Sequence, residues 1–168
     1  MYHVSQQQCL EFCQKLRDKG WNVQLPTEAQ WEYACRAGTE TPFFKLPEHI
    51  QETWSLEGEQ KVSTEVGWNQ LNSNQKVQMV GQKPANAWGF YDMHGNVWEW
   101  CLDKWKAYDA TWKIDPPAET QGDKTVYRGG SYQSPYYDCR SASRHCMQHD
   151  QRAPDVGFRF VLEEDKTP

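Results

Sequence analysis

The spacing of apolar residues near the start of the chain predicts an amphipathic helix over residues 5–19. Apolar side chains recur at the i, i+3, i+4 and i+7 positions of one helical face, and these are Cys9, Phe12, Cys13 and Leu16. Ser5 is placed to cap the first turn, and Gln8 completes a capping box three residues later. Gly20 is a natural end for this helix.

A second helix is predicted directly after a short extended segment that ends at Pro26. Thr27 is its N-cap, Gln30 completes another capping box, and Gly38 closes it. One face carries Trp31, Ala34 and Cys35. From residue 39 to about residue 80 no period stands out, so we expect long loops with one short helix or strand there.

The second half of the chain shows short, glycine-broken strand patterns. Residues 126–132 form an apolar run interrupted by Gly129 and Gly130, which in a strand indicate a bulge or a close backbone approach. Residues 156–162 alternate and predict a final strand. Two helices followed by short strands predict an α+β domain.

Composition narrows the class of protein. The chain has 168 residues, the length of a single domain, and its mean hydropathy is −0.95. Nine Trp, eight Tyr and six Phe supply a core that the scarce aliphatic residues cannot. The net charge of −5 with scattered basic residues argues against nucleic-acid binding. No apolar run reaches the roughly 20 residues of a membrane span, and nothing in the sequence indicates a cellular compartment.

Residues 89–100 combine two acids, a Gly-Asn turn and four aromatic rings. Asp92 and Glu99 bracket the turn closely, and two neighbouring acids repel each other unless they are neutralised. A hard cation takes six to eight oxygen ligands, some of them backbone carbonyls in a tight turn. This segment, which we call the motif turn, therefore predicts either a bound cation or a rigidly held loop.

Five ordered motifs resemble the formylglycine-generating enzyme family, also called the sulfatase-modifying factor family. They are LPTEAQWEYA at 25–34, the motif turn, RGGSY at 128–132, RSASR at 140–144 and GFRF at 157–160. The resemblance covers nearly the whole chain, 1–168. It implies an irregular C-type-lectin-like variant of the α+β class, with two helices, short antiparallel strands and little regular secondary structure.

The resemblance also implies that the chain corresponds to roughly the C-terminal two-thirds of the family domain. The N-terminal, β-rich part of that domain has no counterpart here. A cleaved fragment, a truncated chain, or a subunit that a second chain completes would each account for this difference.

The resemblance implies a calcium site in the motif turn. It assigns the side chains of Asp92 and Glu99 and the carbonyls of Gly95 and Val97 as ligands. The alternative is that Asp92 caps the turn while Glu99 pairs with an arginine such as Arg144 or Arg159.

The family's copper site, in contrast, is not intact. Members that oxidise a substrate cysteine use two cysteines for copper. Counted forward from RGGSY, the first position falls on Ser134 and, if there is no gap, the second falls on Cys139, whereas counting back from RSASR at 140–144 leaves no matching residue; either way the pair is broken. A serine does not replace a thiolate for a soft monovalent metal, so copper is not expected and no catalytic residue is assigned. The alternative, a metal-dependent oxidase acting on a cysteine or thiol substrate, would use Cys139, Ser131 and Ser134.

The remaining cysteines and histidines do not form a recognised metal motif. The six cysteines lack paired CxxC spacing. His145, Cys146 and His149 could cluster around a metal, but we expect a loop there with ordinary histidines. In some family members the counterpart of Cys35 forms a disulfide. A Cys35–Cys139 bridge is conceivable, and a buried free thiol is the favoured alternative.

The leading functional hypothesis is a non-catalytic domain that binds a protein, a peptide or another ligand on a calcium-stabilised scaffold. Adaptable contact residues between the Gly-Gly-Ser and Gly-Phe-Arg motifs would form the binding surface. The predicted ligand-binding residues are Ser131, Tyr132, Gln133, Ser134, Tyr136, Tyr137, Asp138, Arg144, His145, His149 and Arg152.

Overall fold

The computed structural model describes residues 1–44, 55–108 and 116–163. The three helices are α1 (Gln6–Arg17), α2 (Glu28–Arg36) and α3 (Leu56–Val66), and a 3₁₀ helix spans Tyr136–Cys139. The strands are β1 (Val23–Gln24), β2 (Trp98–Lys104), β3 (Lys124–Arg128), β4 (Arg144–Gln148), β5 (Val156–Gly157) and β6 (Val161–Leu162). Helices and short strands in one unit confirm the predicted α+β class.

Both predicted capping boxes are present. The hydroxyl of Ser5 accepts from the backbone N–H of Gln8, and the Gln8 side chain accepts from the backbone N–H of Ser5. Thr27 and Gln30 form the same pair of hydrogen bonds. The α2 helix ends at Ala37, which is left-handed with φ 46°. Local sequence therefore determines where these two helices begin.

The third helix, α3, lies in the region 39–80, where one short helix or strand was expected at no particular position. Ser55 caps it, and Val62 and Val66 are fully buried against Phe43 and Cys139. Its sequence is polar, and tertiary packing of these two valines supplies the apolar face that its pattern shows only weakly.

The main sheet has the order β4-β3-β2-β5, and β1 and β6 form a separate two-stranded sheet. β5 runs parallel to β2, and the other pairs are antiparallel. The expectation of a loop at 145–149 is wrong for most of that segment, because β4 pairs with β3 along its whole length. The predicted strand at 156–162 divides into β5 and β6, one in each sheet.

The two faces of the main sheet differ. Trp98 and Trp100 pack with α1 in one cluster of buried residues, together with Cys9 and Cys13. A second cluster joins α2 to the sheet and contains Trp31, Cys35, Met93, Cys101 and Val126. The aromatic core expected from composition is thus present. Within the described residues, no helix is long and apolar enough to cross a membrane.

Candidate functional site

The motif turn is packed backbone to backbone against residues that precede it. Asp92, Gly95 and Asn96 all have positive φ, of 57°, 132° and 69°. A Cβ on Gly95 would lie 2.2 Å from the carbonyl oxygen of Trp68. The N–H of Asn96 donates to that same oxygen at 2.8 Å. Glycine is therefore required here by both backbone conformation and space.

Glu99 is neutralised inside the protein. Its Oε2 accepts from Trp31 Nε1 at 2.7 Å and from Arg159 Nε at 2.5 Å, and its Oε1 accepts from Arg159 Nη2 at 2.8 Å. Arg159 also donates to the carbonyl of Tyr91. Of the two arginines proposed as alternatives to a cation, Arg159 is the partner, because Arg144 pairs with Glu28 at 2.6 Å.

Among the described residues, only one of the two carboxylate oxygens of Asp92 has a hydrogen-bond partner. Its Oδ2 accepts from the N–H of Gly81 at 2.7 Å, whereas its Oδ1 is buried and has no hydrogen-bond partner among the described residues. Burial raises the pKa of Asp92, and the nearby Glu99 charge acts in the same direction against the Gly81 hydrogen bond. An unpaired buried carboxylate oxygen is costly, so this atom is a natural ligand for a cation.

All four predicted calcium ligands line one cavity of about 470 Å³. They are Asp92, Gly95, Val97 and Glu99. The free Oδ1 of Asp92 fits a hard cation, whereas the Glu99 carboxylate is already shared with Arg159. Within the described ranges, no group of three or more His, Cys, Asp or Glu residues could hold a metal ion. A site here would depend on backbone carbonyls as well as acids.

His94 links the motif turn to the following loops. It is fully buried, its Nδ1 donates to the carbonyl of Cys139 at 2.8 Å, and its Nε2 accepts from the N–H of Phe44 at 3.2 Å. Burial lowers the pKa of His94 to about 4. The ring is neutral and hydrogen-bonded at both nitrogens, so His94 holds the motif turn to the loops that contain Phe44 and Cys139.

Ser131 and Ser134 form a buried hydroxyl pair beside Asp155. Ser131 Oγ donates to Asp155 Oδ2 at 2.6 Å and lies 2.9 Å from Ser134 Oγ, which also accepts from the N–H of Ser131. Ser134 therefore serves the loop as a hydrogen-bonding group at the position where the family resemblance places a copper cysteine.

Cys139, the retained member of that pair, is enclosed. Its exposure is 0%, and a Cβ on Gly130 would lie 2.4 Å from its Sγ. Burial raises the pKa of Cys139, with the Asp138 charge adding to the effect. A metal or a substrate thiol reacts with the thiolate, and burial disfavours that form of Cys139.

All six cysteines are free. The Sγ of Cys35 lies 3.6 Å from the hydroxyl of Ser141, and burial raises its pKa to about 12. The Cys35–Cys139 bridge does not form, which confirms the favoured alternative of a buried free thiol.

The predicted ligand-binding residues divide into three groups. The side chains at the surface are Gln133, Tyr137, His145, His149 and Arg152, with Asp138 partly exposed. The buried ones are Ser131, Tyr132, Ser134 and Tyr136. Arg144 lies apart from both, paired with Glu28 and stacked between the rings of Trp105 and Tyr108. The surface residues are available to a ligand, whereas the buried ones support the loop.

Trp98, Tyr127 and Asp155 were not among the predicted site residues, although Trp98 lies in the motif turn. The ring centroids of Trp98 and Tyr127 lie 5.2 Å apart, and His145 contacts both rings. Strand alternation could have indicated this, because Tyr127 is directly paired with His145 across β3 and β4.

A larger cavity of about 1040 Å³ lies beside α2 and contains only Arg144 of the predicted residues. The two acids of α2 that line it are paired internally: Glu28 with Arg144, and Glu32 with Arg36 and Arg128. These pairs hold α2 to the sheet and leave its acids little capacity for a ligand.

Comparison with known proteins identifies the fold as that of formylglycine-generating enzymes and C-type lectins. PvdO from Pseudomonas aeruginosa superimposes with a TM-score of 0.80 at 27% identity, over 97% of this chain and 61% of that chain. The Treponema denticola variable protein 1 superimposes with a TM-score of 0.70 at 30% identity, over 83% of this chain and 47% of that one.

The family model described as "Sulfatase-modifying factor enzyme 1-like domain" matches residues 1–164. The mouse formylglycine-generating enzyme is 34% identical over 173 residues, which cover 96% of this chain and 43% of the relative. The chain belongs to the sulfatase-modifying factor family. It spans less than half the length of that mouse relative.

Proposed function

We propose that this chain is a non-catalytic member of the family that binds a protein or a peptide through the surface side chains of residues 131–152. The observation that carries the proposal is the state of the two copper positions. Ser134 is bonded into the loop through its hydroxyl, and Cys139 is a buried thiol whose pKa is raised. A pair of thiolates cannot form from these two groups.

The surface chemistry supports binding. Tyrosine, histidine, glutamine and aspartate side chains give rigid contact area and adaptable hydrogen bonds. Tyr137 is 50% exposed, and Gln133 and His149 are also at the surface. They stand on a loop whose buried serines and Cys139 are held by hydrogen bonds and close packing.

We also propose calcium as the cation of the motif turn. Asp92 Oδ1 and the carbonyls of Gly95 and Val97 would hold it, together with Glu99. Bound calcium would neutralise the two acids and stabilise the turn. The unpartnered Asp92 Oδ1 and the shared cavity support this assignment.

The rival function is a metal-dependent oxidase acting on a cysteine or thiol substrate. The retained Cys139 and the family likeness to formylglycine-generating enzymes favour it. Ser131 and Ser134 would then line the reacting centre, and the metal would be held by Cys139 with groups outside the copper pair.

Metal analysis and oxygen uptake separate the two functions. For the purified chain we expect no stoichiometric copper or iron, and no oxygen consumption with cysteine-containing peptides. Cys139→Ser is the informative variant, and Cys9→Ser, which removes another buried thiol, is its matched control. Stoichiometric copper or iron that is lost in Cys139→Ser but kept in Cys9→Ser would overturn the binding function.

The calcium assignment is tested by thermal unfolding with and without calcium. Asp92→Asn should abolish the calcium-induced rise in melting temperature, whereas Asp123→Asn, an exposed acid elsewhere, should keep it. Without calcium and at neutral pH, Asp92→Asn should be at least as stable as the wild type. The reason is that the raised pKa of Asp92 marks a folded state in which the charged form is penalised. An unchanged calcium response in Asp92→Asn would place the site elsewhere.

A further inference from the structure

The small sheet of β1 and β6 has an open edge. The N–H of Glu163 donates to the carbonyl of Asn22 at 2.8 Å, at the end of this two-stranded ladder. Because hydrogen-bonded pairs alternate along an antiparallel ladder, Val161 directs its N–H and C=O toward β1, whereas Leu162 directs them away. We define the open edge as residues 158–162 on the side that faces away from β1.

The other edge of this sheet, on β1, is satisfied by the chain itself. Arg17 Nη1 donates to the carbonyl of Val23 at 2.6 Å, and the N–H of Val23 donates to the carbonyl of Trp21 at 2.9 Å. The backbone of Phe160, in contrast, forms no hydrogen bond with another residue in the described part of the chain. Unpaired backbone groups along a sheet edge are a template for a further strand.

The side chains at the open edge are apolar and uncovered. Directly opposite residues of an antiparallel pair point to the same face of the sheet, and Leu162 is opposite Val23. Val23 is buried in the core, whereas Leu162 is 64% exposed and Phe160 is 46% exposed. Residues 158–162 contain no lysine or proline, which commonly block such edges, and Arg159 is paired within the motif turn. The core face of the sheet is therefore open to solvent here.

The open edge adjoins a cavity and a segment that already pairs as a strand. Tyr2 forms a β-bridge with Gly157, and a Cβ on Gly157 would lie 2.6 Å from the carbonyl oxygen of Met1. Met1 and Phe158 both line the cavity of about 470 Å³ beside the motif turn, together with the exposed Val80. A strand at the open edge would extend this cover, and the apolar walls of the cavity can accept one of its side chains.

We propose that the open edge binds an extended, apolar segment of a different protein chain, which adds to β6 as a third strand. The unpaired backbone groups call for an extended segment, and Phe160 and Leu162 call for apolar side chains in it. A two-stranded sheet is marginally stable in water, so a third strand also stabilises the sheet itself. The fold accommodates further polypeptide, because the part that this chain matches is 61% of the PvdO chain. This site is separate from the surface proposed for residues 131–152.

The probe is the blocked peptide acetyl-Lys-Ile-Thr-Val-Thr-Ile-Lys-amide, added to ¹⁵N-labelled protein. Its seven residues span about 23 Å as a strand, which is enough to cover the open edge. Amide hydrogen exchange is measured with and without the peptide. We expect the N–H groups of Phe160 and Leu162 to exchange about tenfold more slowly when the peptide is bound. The N–H of Val161 already points toward β1 and should change much less, and this alternation distinguishes an added strand from general stabilisation.

Matched peptides and variants separate the two parts of the recognition. Methylation of the five central amide nitrogens removes the backbone donors of the peptide, and replacement of its Ile and Val by Gln removes its apolar side chains. Each change should weaken binding about tenfold. Leu162→Thr should weaken binding several-fold, whereas Leu71→Thr, at an exposed leucine outside the open edge, should not. Both leucines are largely exposed, so an unchanged melting temperature confirms that each variant is folded.

Several results would overturn this inference while leaving the proposed function of residues 131–152 intact. Slow exchange of Phe160 and Leu162 in the chain alone, at every protein concentration, would mean that the chain covers its own edge. Slow exchange that develops as the protein concentration rises would assign the edge to a second copy. Equal binding of the N-methylated peptide, or no binding of the parent peptide at millimolar concentration, would mean that no strand is added. Copper or iron with oxygen consumption would instead overturn the proposed function and not this inference.

Discussion

The motif turn and the segment 131–155 are both rich in polar residues, but they use them differently. In the motif turn, Glu99 and His94 have protein partners for every polar atom of their side chains. In the segment 131–155, Ser131 and Ser134 are bonded internally, whereas His145 and Tyr137 reach the surface.

The difference teaches that a dense polar motif is not by itself a site of chemistry. Groups whose hydrogen bonds are made inside the protein mainly position the backbone. Glu99 could bind a cation only by sharing its carboxylate with Arg159. The exception in the motif turn is Asp92 Oδ1, and it is the atom on which the calcium proposal depends.

The largest effect is expected for Gly95→Ala. The new Cβ would meet the Trp68 carbonyl oxygen at 2.2 Å, and φ is 132°. Strain and overpacking together should cost more than about 3 kcal/mol. Gly89→Ala is the matched control, because its φ is 83° but nothing lies within 4 Å, so only about 1 kcal/mol is expected. Chemical denaturation measures both, and equal losses would mean that the turn is not held by Trp68.

Glu99→Gln should be the next most costly change. It leaves Arg159, whose side chain is 25% exposed, without its anion and removes an acceptor for Trp31. Loss of one partner of a largely buried pair costs about 3 kcal/mol. It should also remove any calcium dependence of the melting temperature. Glu119→Gln, at an exposed pair with Lys106, is the control and should change little. If Glu99→Gln changed the free energy of unfolding only slightly, the buried polar contacts of the motif turn would contribute no more to stability than those of the segment 131–155.

Because His94 is buried and neutral, the free energy of unfolding should depend on pH through the motif turn. Its pKa falls from 6.5 in the unfolded chain to about 4 in the folded one, so the unfolded chain binds the proton first. Between about pH 6.5 and pH 4 this should remove about 3 kcal/mol of stability. His94→Gln should lack this contribution, so the stability advantage of the wild type should shrink across that window. An advantage that stays constant with pH would contradict a neutral buried His94.

The smallest effect is expected in the segment 131–155. Ser134→Ala removes one acceptor for the N–H of Ser131 and should cost about 1 kcal/mol in the free energy of unfolding. A loss as large as that of Gly95→Ala would show that this loop is as rigidly determined as the motif turn.

Features that depend on residues close together in the sequence were predicted better than features that depend on contacts between distant residues. The capping boxes at Ser5 and Thr27 formed as expected, because their partners lie three residues away. The strand β4 was missed, since its pairing with β3 joins residues far apart in sequence. For the same reason, the sequence predicted one short helix or strand in the region 39–80 but not the position of α3, because Val62 and Val66 meet their apolar partners, Phe43 and Cys139, only in the folded chain.

By itself, the sequence determined the family and the two helix starts. These depend on residue identity and short spacing, which are visible in the chain. Only the tertiary structure decided that Glu99 pairs with Arg159 while Arg144 pairs with Glu28. It also decided that one oxygen of Asp92 has no hydrogen-bond partner in the part of the chain that the structure describes. Several candidate arginines and acids are chemically equivalent in the sequence, and sheet register and packing select among them because each charge must find its partner within a few ångströms.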